Sequence, residues 1–336
     1  MNEKQRIEWI HGLFEGGPPR LWCPPIMHYH PDGSIDRQRV QAHLRHLTQW
    51  VRGFLVPGST GDAWEMSARE QRETVELLLP TFASLGVHLL IGVLAPDVDA
   101  ERRAIEEWTK SLNQPAGPGT FRGFTVCGPS GDGQSQEAIQ HGLVRLLETG
   151  HPIAIYQLPQ VTRNEIAPET IAALAGRFSN FILFKDSSGR DAVCGSGVDL
   201  GGVFTMRGAE GGYFEALSDN GGPYDGLLLS TANWMAGELE CVIALSATDK
   251  DSARDLSQRL SEAIESALAV VADLPRGNMF SNSAKCMDHL MAYGTQWQTA
   301  PPPRFHGGEP LPTEVIADCE SILRRHDLLL RKGYLA

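Results

Sequence analysis

The hexapeptide Phe184-Lys185-Asp186-Ser187-Ser188-Gly189 follows directly on the apolar residues Phe181-Ile182-Leu183, so an apolar run ends on a lysine. Burying an unpaired ammonium is costly. Such a position selects either a side chain that snorkels to water or a neutral amine. A neutral lysine amine can attack a ketone and form an imine. Once protonated, the imine withdraws electrons from the neighbouring carbons and stabilises the carbanion-like species formed when a C–C bond is made or broken. Two other stretches supply what that chemistry needs. Tyr156, in the run Pro152–Pro159 that precedes Lys185, carries a phenol able to move a proton. The turn Gly58-Ser59-Thr60-Gly61-Asp62 offers backbone N–H groups and two hydroxyls to a carboxylate. Lys185, Tyr156, Ser59 and Thr60, with Gly58 and Gly61 shaping the turn, describe a site for a 2-keto acid. Arg207, Gly208 and Glu210 follow the next apolar run. The arginine and the glutamate either contact substrate or form an ion pair at the rim.

Each signal has a plain alternative. Lys185 alone reads as a strand-end lysine, Tyr156 as a core tyrosine, and Gly-Ser-Thr-Gly as a tight turn. Gly128-Pro129-Ser130-Gly131-Asp132-Gly133 lacks the Gly-Lys-Ser/Thr ending of a phosphate loop and reads as a loop. His28-x-His30 raises a rival chemistry, metal-dependent hydrolysis, which also wants histidines after later strands and an acid on the last one. Those later positions hold Tyr156 and Lys185 instead, so the reading names no metal.

These residues need a frame. Eight short apolar runs recur: 20–27, 53–60, 88–95, 123–129, 152–159, 181–188, 203–210 and 225–233. They are apolar on both faces, as in a parallel sheet covered by helices. Between them, segments such as 36–51, 67–82, 135–150 and 167–178 carry helical periodicity, and Ser67 with Glu70 reads as a capping box. The segment after the seventh run is short and Gly-rich, the weakest helix. The pattern predicts an α/β fold, a (β/α)8 TIM barrel over 1–233, with a C-terminal helical extension over 234–336. Barrel enzymes place their chemistry at the carboxyl ends of the strands, where Ser59, Tyr156 and Lys185 fall.

The bulk composition narrows the function class. The net charge is −12 and no Lys/Arg-rich run occurs, which argues against a nucleic-acid or anionic-membrane partner. No apolar stretch is long enough for a membrane span, and the first residues are too polar for a signal peptide. The six cysteines are scattered without a Cys-x-x-Cys pair, consistent with reduced thiols and a cytoplasmic location.

Together the motifs resemble the dihydrodipicolinate synthase / N-acetylneuraminate lyase family. GSTGD (58–62) is similar to that family's G-[ST]-T-G-E turn, YQLP (156–159) to its Y-N-x-P, and FKDSSG (184–189) to its [IVL]-K-[DE]-[AS]-[ST]-G; HPDGSID (30–36) also falls in order. The resemblance runs from about residue 20 to 295. It implies Lys185 as the Schiff-base lysine, Tyr156 as proton shuttle bonded to the Ser59 hydroxyl, and Ser59 and Thr60 as the carboxylate site for pyruvate or a longer 2-keto acid. It further implies a homo-oligomer, dimer or tetramer, and no cofactor beyond the covalent lysine imine. Departures matter too. Ser130 and Gly131 stand where many members have two tyrosines. Val161 stands where synthases proper carry an arginine, with Arg163 nearby but out of register. Asp62 replaces the usual Glu. The expected function is a Schiff-base lyase or aldolase that releases or condenses pyruvate, with an aldehyde as second substrate. The alternatives are a 2-keto-3-deoxy sugar-acid dehydratase using the same imine, dihydrodipicolinate synthase proper, or a silent keto-acid-binding homologue.

Overall fold

A computed structural model of the protein describes residues 2–112 and 120–336. In chain order the elements are α1 (Asn2–Leu13), β1 (Leu21–Cys23), α2 (Arg37–Leu47), β2 (Gly53–Val56), α3 (Ala68–Leu85), β3 (His88–Val93), α4 (Val98–Leu112), β4 (Phe121–Cys127), α5 (Gln136–Leu147), β5 (Ile153–Gln157), α6 (Pro159–Thr162), α7 (Pro168–Arg177), β6 (Phe181–Asp186), β7 (Phe204–Arg207), α8 (Tyr213–Ala216), β8 (Gly226–Leu228), α9 (Ala236–Leu245), α10 (Lys250–Val271), α11 (Met279–Tyr293) and α12 (Thr313–Arg325). The eight strands pair in sequence, all parallel, and β8 closes on β1. The chain is a TIM barrel followed by helices.

Side chains fill the barrel as its geometry requires. Trp22, Leu55, Leu90, Ala154, Leu183, Met206 and Leu228 form one inner cluster, with Ile10 of α1 and Phe14 just after it packed in the same cluster. Successive residues of a strand alternate faces, so Tyr156 lies on the same inward face as Ala154, and Lys185 on that of Leu183. The register sets Tyr156 directly beside Lys185 on adjacent strands. A period-two step therefore lifts both side chains to the carboxyl mouth.

Helix starts follow local chemistry. Asp36 accepts from the Arg39 amide at 3.0 Å, and Ser67 and Glu70 form the full capping box. Two connections depart from a regular β/α alternation. The link from β6 to β7 is Gly-rich and holds only a short 3-10 turn, Cys194–Ser196. The link after β7 holds the four-residue α8. The space beside β6 is served by α1, which periodicity does not reveal. Its Arg6 is fully buried and donates to five carbonyls, those of Phe181, Leu200, Gly201, Ala175 and Phe178. Ala175 and Phe178 belong to the end of α7, where carbonyls lack intrahelical partners.

The C-terminal helices reach the barrel mouth. Asn278, which caps α11, donates to the Ser59 carbonyl at 3.0 Å. Among the described residues, no helix is long and apolar enough to cross a membrane.

Candidate active site

A cavity of about 260 Å³ opens at the carboxyl ends of β2, β5, β6, β7 and β8. Ser59, Thr60, Tyr156, Lys185, Ser187 and Gly208 line it, and Leu268 of α10 and Phe280 of α11 also reach its wall. Lys185 is only 3% exposed, and its Nζ sits 4.0 Å from the centre of the Tyr156 ring. Among the described residues the amine has no hydrogen bond and no carboxylate partner. An amine held so, unpaired at a cavity mouth, is accessible to a carbonyl carbon.

The turn 58–62 supplies the opposite wall. Its internal bonds use the amides of Gly61, Asp62 and Ala63, which leaves those of Ser59 and Thr60 outside them. Ser59 Oγ lies 3.4 Å from the Tyr156 hydroxyl, a long contact. It also accepts the Trp64 indole N–H at 2.9 Å. Indole only donates, so Ser59 retains its proton to give to Tyr156 or to a ligand. Trp64 is a functional neighbour that no motif marked. Gly58 and Gly61 stand behind this wall: a Cβ on them would lie 2.7 Å from Pro24 Cβ and 2.6 Å from the Pro25 carbonyl oxygen. Gly208 is tighter still, where a Cβ would meet Ser187 Oγ at 2.1 Å and Lys185 Cε at 2.7 Å. Ser187 Oγ is buried without a partner.

The structure does not bring every candidate to the cavity. Arg207 is not on its wall; it bonds Asp191 at 3.2 Å, and Asp191 also accepts the Tyr224 hydroxyl at 2.7 Å. Nor do Arg207 and Glu210 form a rim pair. Glu210 lines the cavity, but its carboxylate accepts five hydrogen bonds, from Ser230 N and Oγ, Thr231 N and Oγ1, and the Tyr213 hydroxyl. It ties the loop after β7 to the loop after β8. Gly131 is fixed by its backbone: its amide donates to the Thr162 carbonyl at 2.8 Å, and no side chain reaches from it toward Tyr156. Val161 packs against the apolar cluster of Cys127, Tyr156 and Leu158, while Arg163 pairs outward with Asp132 at 3.1 Å.

Asp62 acquires a reason. Its carboxylate accepts Lys285 Nζ at 2.7 Å, the Tyr29 hydroxyl at 2.9 Å and Ser281 Oγ at 2.5 Å. Lys285 and Ser281 lie on α11, so a buried ion pair fastens the extension to the turn. Burial, with the Asp62 charge beside it, pushes the Tyr29 phenol up.

The histidine pair does not converge. His30 is exposed, with Nδ1 4.0 Å from Asp36. His28 is buried with His43 and Asp288, and their ligand atoms lie within 4.8 Å of one another. The chemistry of that trio does not fit a metal. Asp288 already bonds the Arg39 guanidinium and accepts the Tyr334 hydroxyl at 2.7 Å. Burial, and then the Arg39 charge, hold the His28 ring well below its usual value. Burial alone would raise Asp288, but Arg39, His43 and Tyr334 keep it low.

Comparison with known proteins places these features. A sequence model of the dihydrodipicolinate synthetase family matches residues 18–272. The 4-hydroxy-tetrahydrodipicolinate synthase of Agrobacterium fabrum is 26% identical over 235 residues, 66% of this chain and 71% of the relative. That of Thermus thermophilus is 28% identical over 263 residues, 75% and 81%. Another, from Persephonella marina, is 28% identical over 163 residues, which cover 48% of this chain and 53% of it. Among solved structures, YagE of E. coli K12, a prophage protein of the dihydrodipicolinic acid synthase family in complex with pyruvate, superposes with TM-score 0.72 at 19% identity, covering 91% of this chain and 98% of that one. A variant of the 2-keto-3-deoxygluconate aldolase of Sulfolobus solfataricus gives 0.71 at 17% identity, covering 92% and 96%. At these identities the structures show the shared fold. The family match spans most of the chain, and with the fold in agreement the protein belongs to the dihydrodipicolinate synthetase family and is an enzyme of the class I lyase type.

Proposed function

We propose that the protein is a Schiff-base lyase or aldolase acting on a 2-keto acid, which it cleaves to or builds from pyruvate. The observation that carries this is Lys185, buried and unpaired against the Tyr156 ring, facing the turn of Ser59 and Thr60 across one cavity. The substrate carboxylate is held by the Ser59 and Thr60 amides and hydroxyls. That sets the keto carbon toward Lys185, whose amine adds to it; water leaves and the C=N bond of an imine forms. The bond between C3 and C4 then breaks. Its electron pair moves into the protonated imine to give an enamine, and the C4 hydroxyl loses its proton as the aldehyde departs. The enamine takes a proton at C3, and water releases pyruvate and restores the amine. Tyr156 carries the protons. Trp64 N–H holds Ser59 Oγ so that the Ser59 proton faces Tyr156, which orders the relay toward the substrate.

An apolar Val161 leaves no guanidinium beside Tyr156, which supports a lyase over synthase chemistry. The proposed cycle needs no resident cofactor. The second substrate is an aldehyde, and the assembly is a homo-oligomer by analogy with the family resemblance.

Borohydride trapping with pyruvate, followed by peptide mapping, tests the reading. A pyruvyl-sized adduct on Lys185 and none in Lys185→Ala is expected. Absence of any adduct with pyruvate and longer keto acids refutes it. Product analysis then separates cleavage, which yields pyruvate and an aldehyde, from dehydration, which keeps the carbon count.

A further inference from the structure

A second cavity, of about 290 Å³, lies away from Lys185, between the β1–α2 connection and the C-terminal region. Its wall includes His28, Arg39, Tyr293, the three prolines 301–303 and Arg304. Nothing in the proposed imine chemistry uses these groups.

The charge balance of this wall is uneven. Arg39 is committed to Asp288 and to the Tyr334 hydroxyl. Asp36, also on the wall, caps α2 and stands 4.0 Å from His30. Arg304 is different. It donates to the Gly308 carbonyl at 2.8 Å, and among the described residues no carboxylate lies within 4.0 Å of it. It is half-buried, so its charge is only partly hydrated. His28 is 7% exposed, and its Nε2, buried without a hydrogen-bond partner, stands 3.6 Å from Asp288 Oδ2. A buried polar atom left unpaired is a cost that a ligand or water can relieve. The prolines supply an apolar, stiff part of the wall. Proline φ is fixed, and the segment is held by the Arg304–Pro310 bridge and by the Leu311 amide on the Pro303 carbonyl at 2.8 Å. A preformed apolar wall lowers the ordering cost of binding.

We propose that this cavity binds a small monocarboxylate with an apolar body. The carboxylate pairs with Arg304, and the body lies against Tyr293 and the prolines. A monoanion matches the single unbalanced guanidinium of a wall that also carries the Asp36 carboxylate. Tyr29 also borders the cavity, and its hydroxyl bonds Asp62 of the turn, so the site adjoins the catalytic wall through one side chain.

The test is calorimetric titration of the intact protein with benzoate and with benzamide, its neutral analogue. Saturable benzoate binding with a Kd of about 1 mM or tighter is expected, with benzamide weaker by about tenfold. Arg304→Gln, checked for native circular dichroism, is expected to lose about the same factor for benzoate and to leave benzamide unchanged. Equal binding of benzoate and benzamide overturns the proposal, as does benzoate binding unchanged in Arg304→Gln, which would place the anion at the turn 58–62. No saturation by about 10 mM benzoate overturns it too. None of these readouts involves an imine, so failure of borohydride trapping at Lys185 leaves this result to stand or fall alone.

Discussion

Replacing Lys285 by Met tests whether the extension holds the catalytic turn. Lys285 and Asp62 are each 1% exposed, and their charged atoms are 2.7 Å apart. Methionine has nearly the same length and fills the same space, so packing is conserved and the charge alone is lost. At an effective dielectric of about 20, the direct attraction at that separation is about 6 kcal/mol, most of which offsets the desolvation of both groups. What the variant feels is the carboxylate left behind. Removing one partner of a buried pair typically costs about 3–5 kcal/mol. The Tyr29 and Ser281 hydroxyls still bond Asp62, so the lower end applies, about 3 kcal/mol. Pairing Lys285→Met with Asp62→Asn removes the stranded charge. That double variant is expected within about 1 kcal/mol of the parent; since Asp62→Asn alone strands the Lys285 charge and also costs about 3 kcal/mol, the coupling between the two changes is about 5 kcal/mol. Equilibrium urea unfolding followed by tryptophan fluorescence measures both. A loss under about 1 kcal/mol in Lys285→Met, or a double variant no better than the single, would refute the reasoning.

Two further outcomes follow from other contacts. Gly208→Ala places a methyl 2.7 Å from Lys185 Cε and 2.1 Å from Ser187 Oγ, so the lysine must leave its place on the Tyr156 ring. The trapping rate with pyruvate is expected to fall by about 100-fold, and a rate within about twofold of the parent would contradict that geometry. Glu101 is buried, donated to among the described residues only by the Cys127 amide at 2.9 Å, and burial pushes its carboxyl well above the ordinary range. A folded-state value above the unfolded one means its stability contribution is complete below the unfolded value and is lost as pH rises through the folded one. Glu101→Gln keeps the acceptor and removes that loss, so its unfolding free energy should gain on the parent as the pH rises above about 4, the ordinary carboxylate range; a pH-independent difference would rule this out.

How far the site was legible follows from how each residue is placed. Lys185 and Tyr156 are set by strand register alone. Two adjacent parallel strands, each apolar up to its last inward position, leave those two side chains together at the mouth. The turn 58–62 is legible for a similar reason, since its form is local. Lys285, Ser281 and Phe280 reach the same site from more than two hundred residues away, and a buried lysine on a helix carries no local sign of its partner. Trp64 is five residues from Ser59, but only the fold directs its N–H at that oxygen. Helix α1 was missed because its sequence has no clear apolar stripe; it is anchored by one arginine on carbonyls of elements far along the chain. Arg207 and Glu210, close in sequence, read either as substrate contacts or as a rim ion pair. Strand alternation and a glycine-rich loop send them to Asp191 and to the loop after β8 instead.

The same distinction explains why the motifs define the keto-acid half of the substrate and leave the other half open. Carboxylate and carbonyl meet groups fixed by strand ends β2, β5 and β6. The remainder faces loops and the extension. There, Glu210 has its lone pairs filled by five donors, so it organises the wall without recognising a ligand. Leu268 and Phe280 offer only apolar surface. Among the described residues, a fully buried hydroxyl without a protein partner on this wall is that of Ser187. Gly208 crowds it against the lysine, so a polar atom bonded to Ser187 must lie close to the imine carbon. In the proposed reaction, discrimination among aldehydes therefore rests on shape against Leu268 and Phe280 more than on hydrogen bonds. A pocket of that kind separates close homologues by only about 1–3 kcal/mol per methylene, too little for residue types alone to name one substrate.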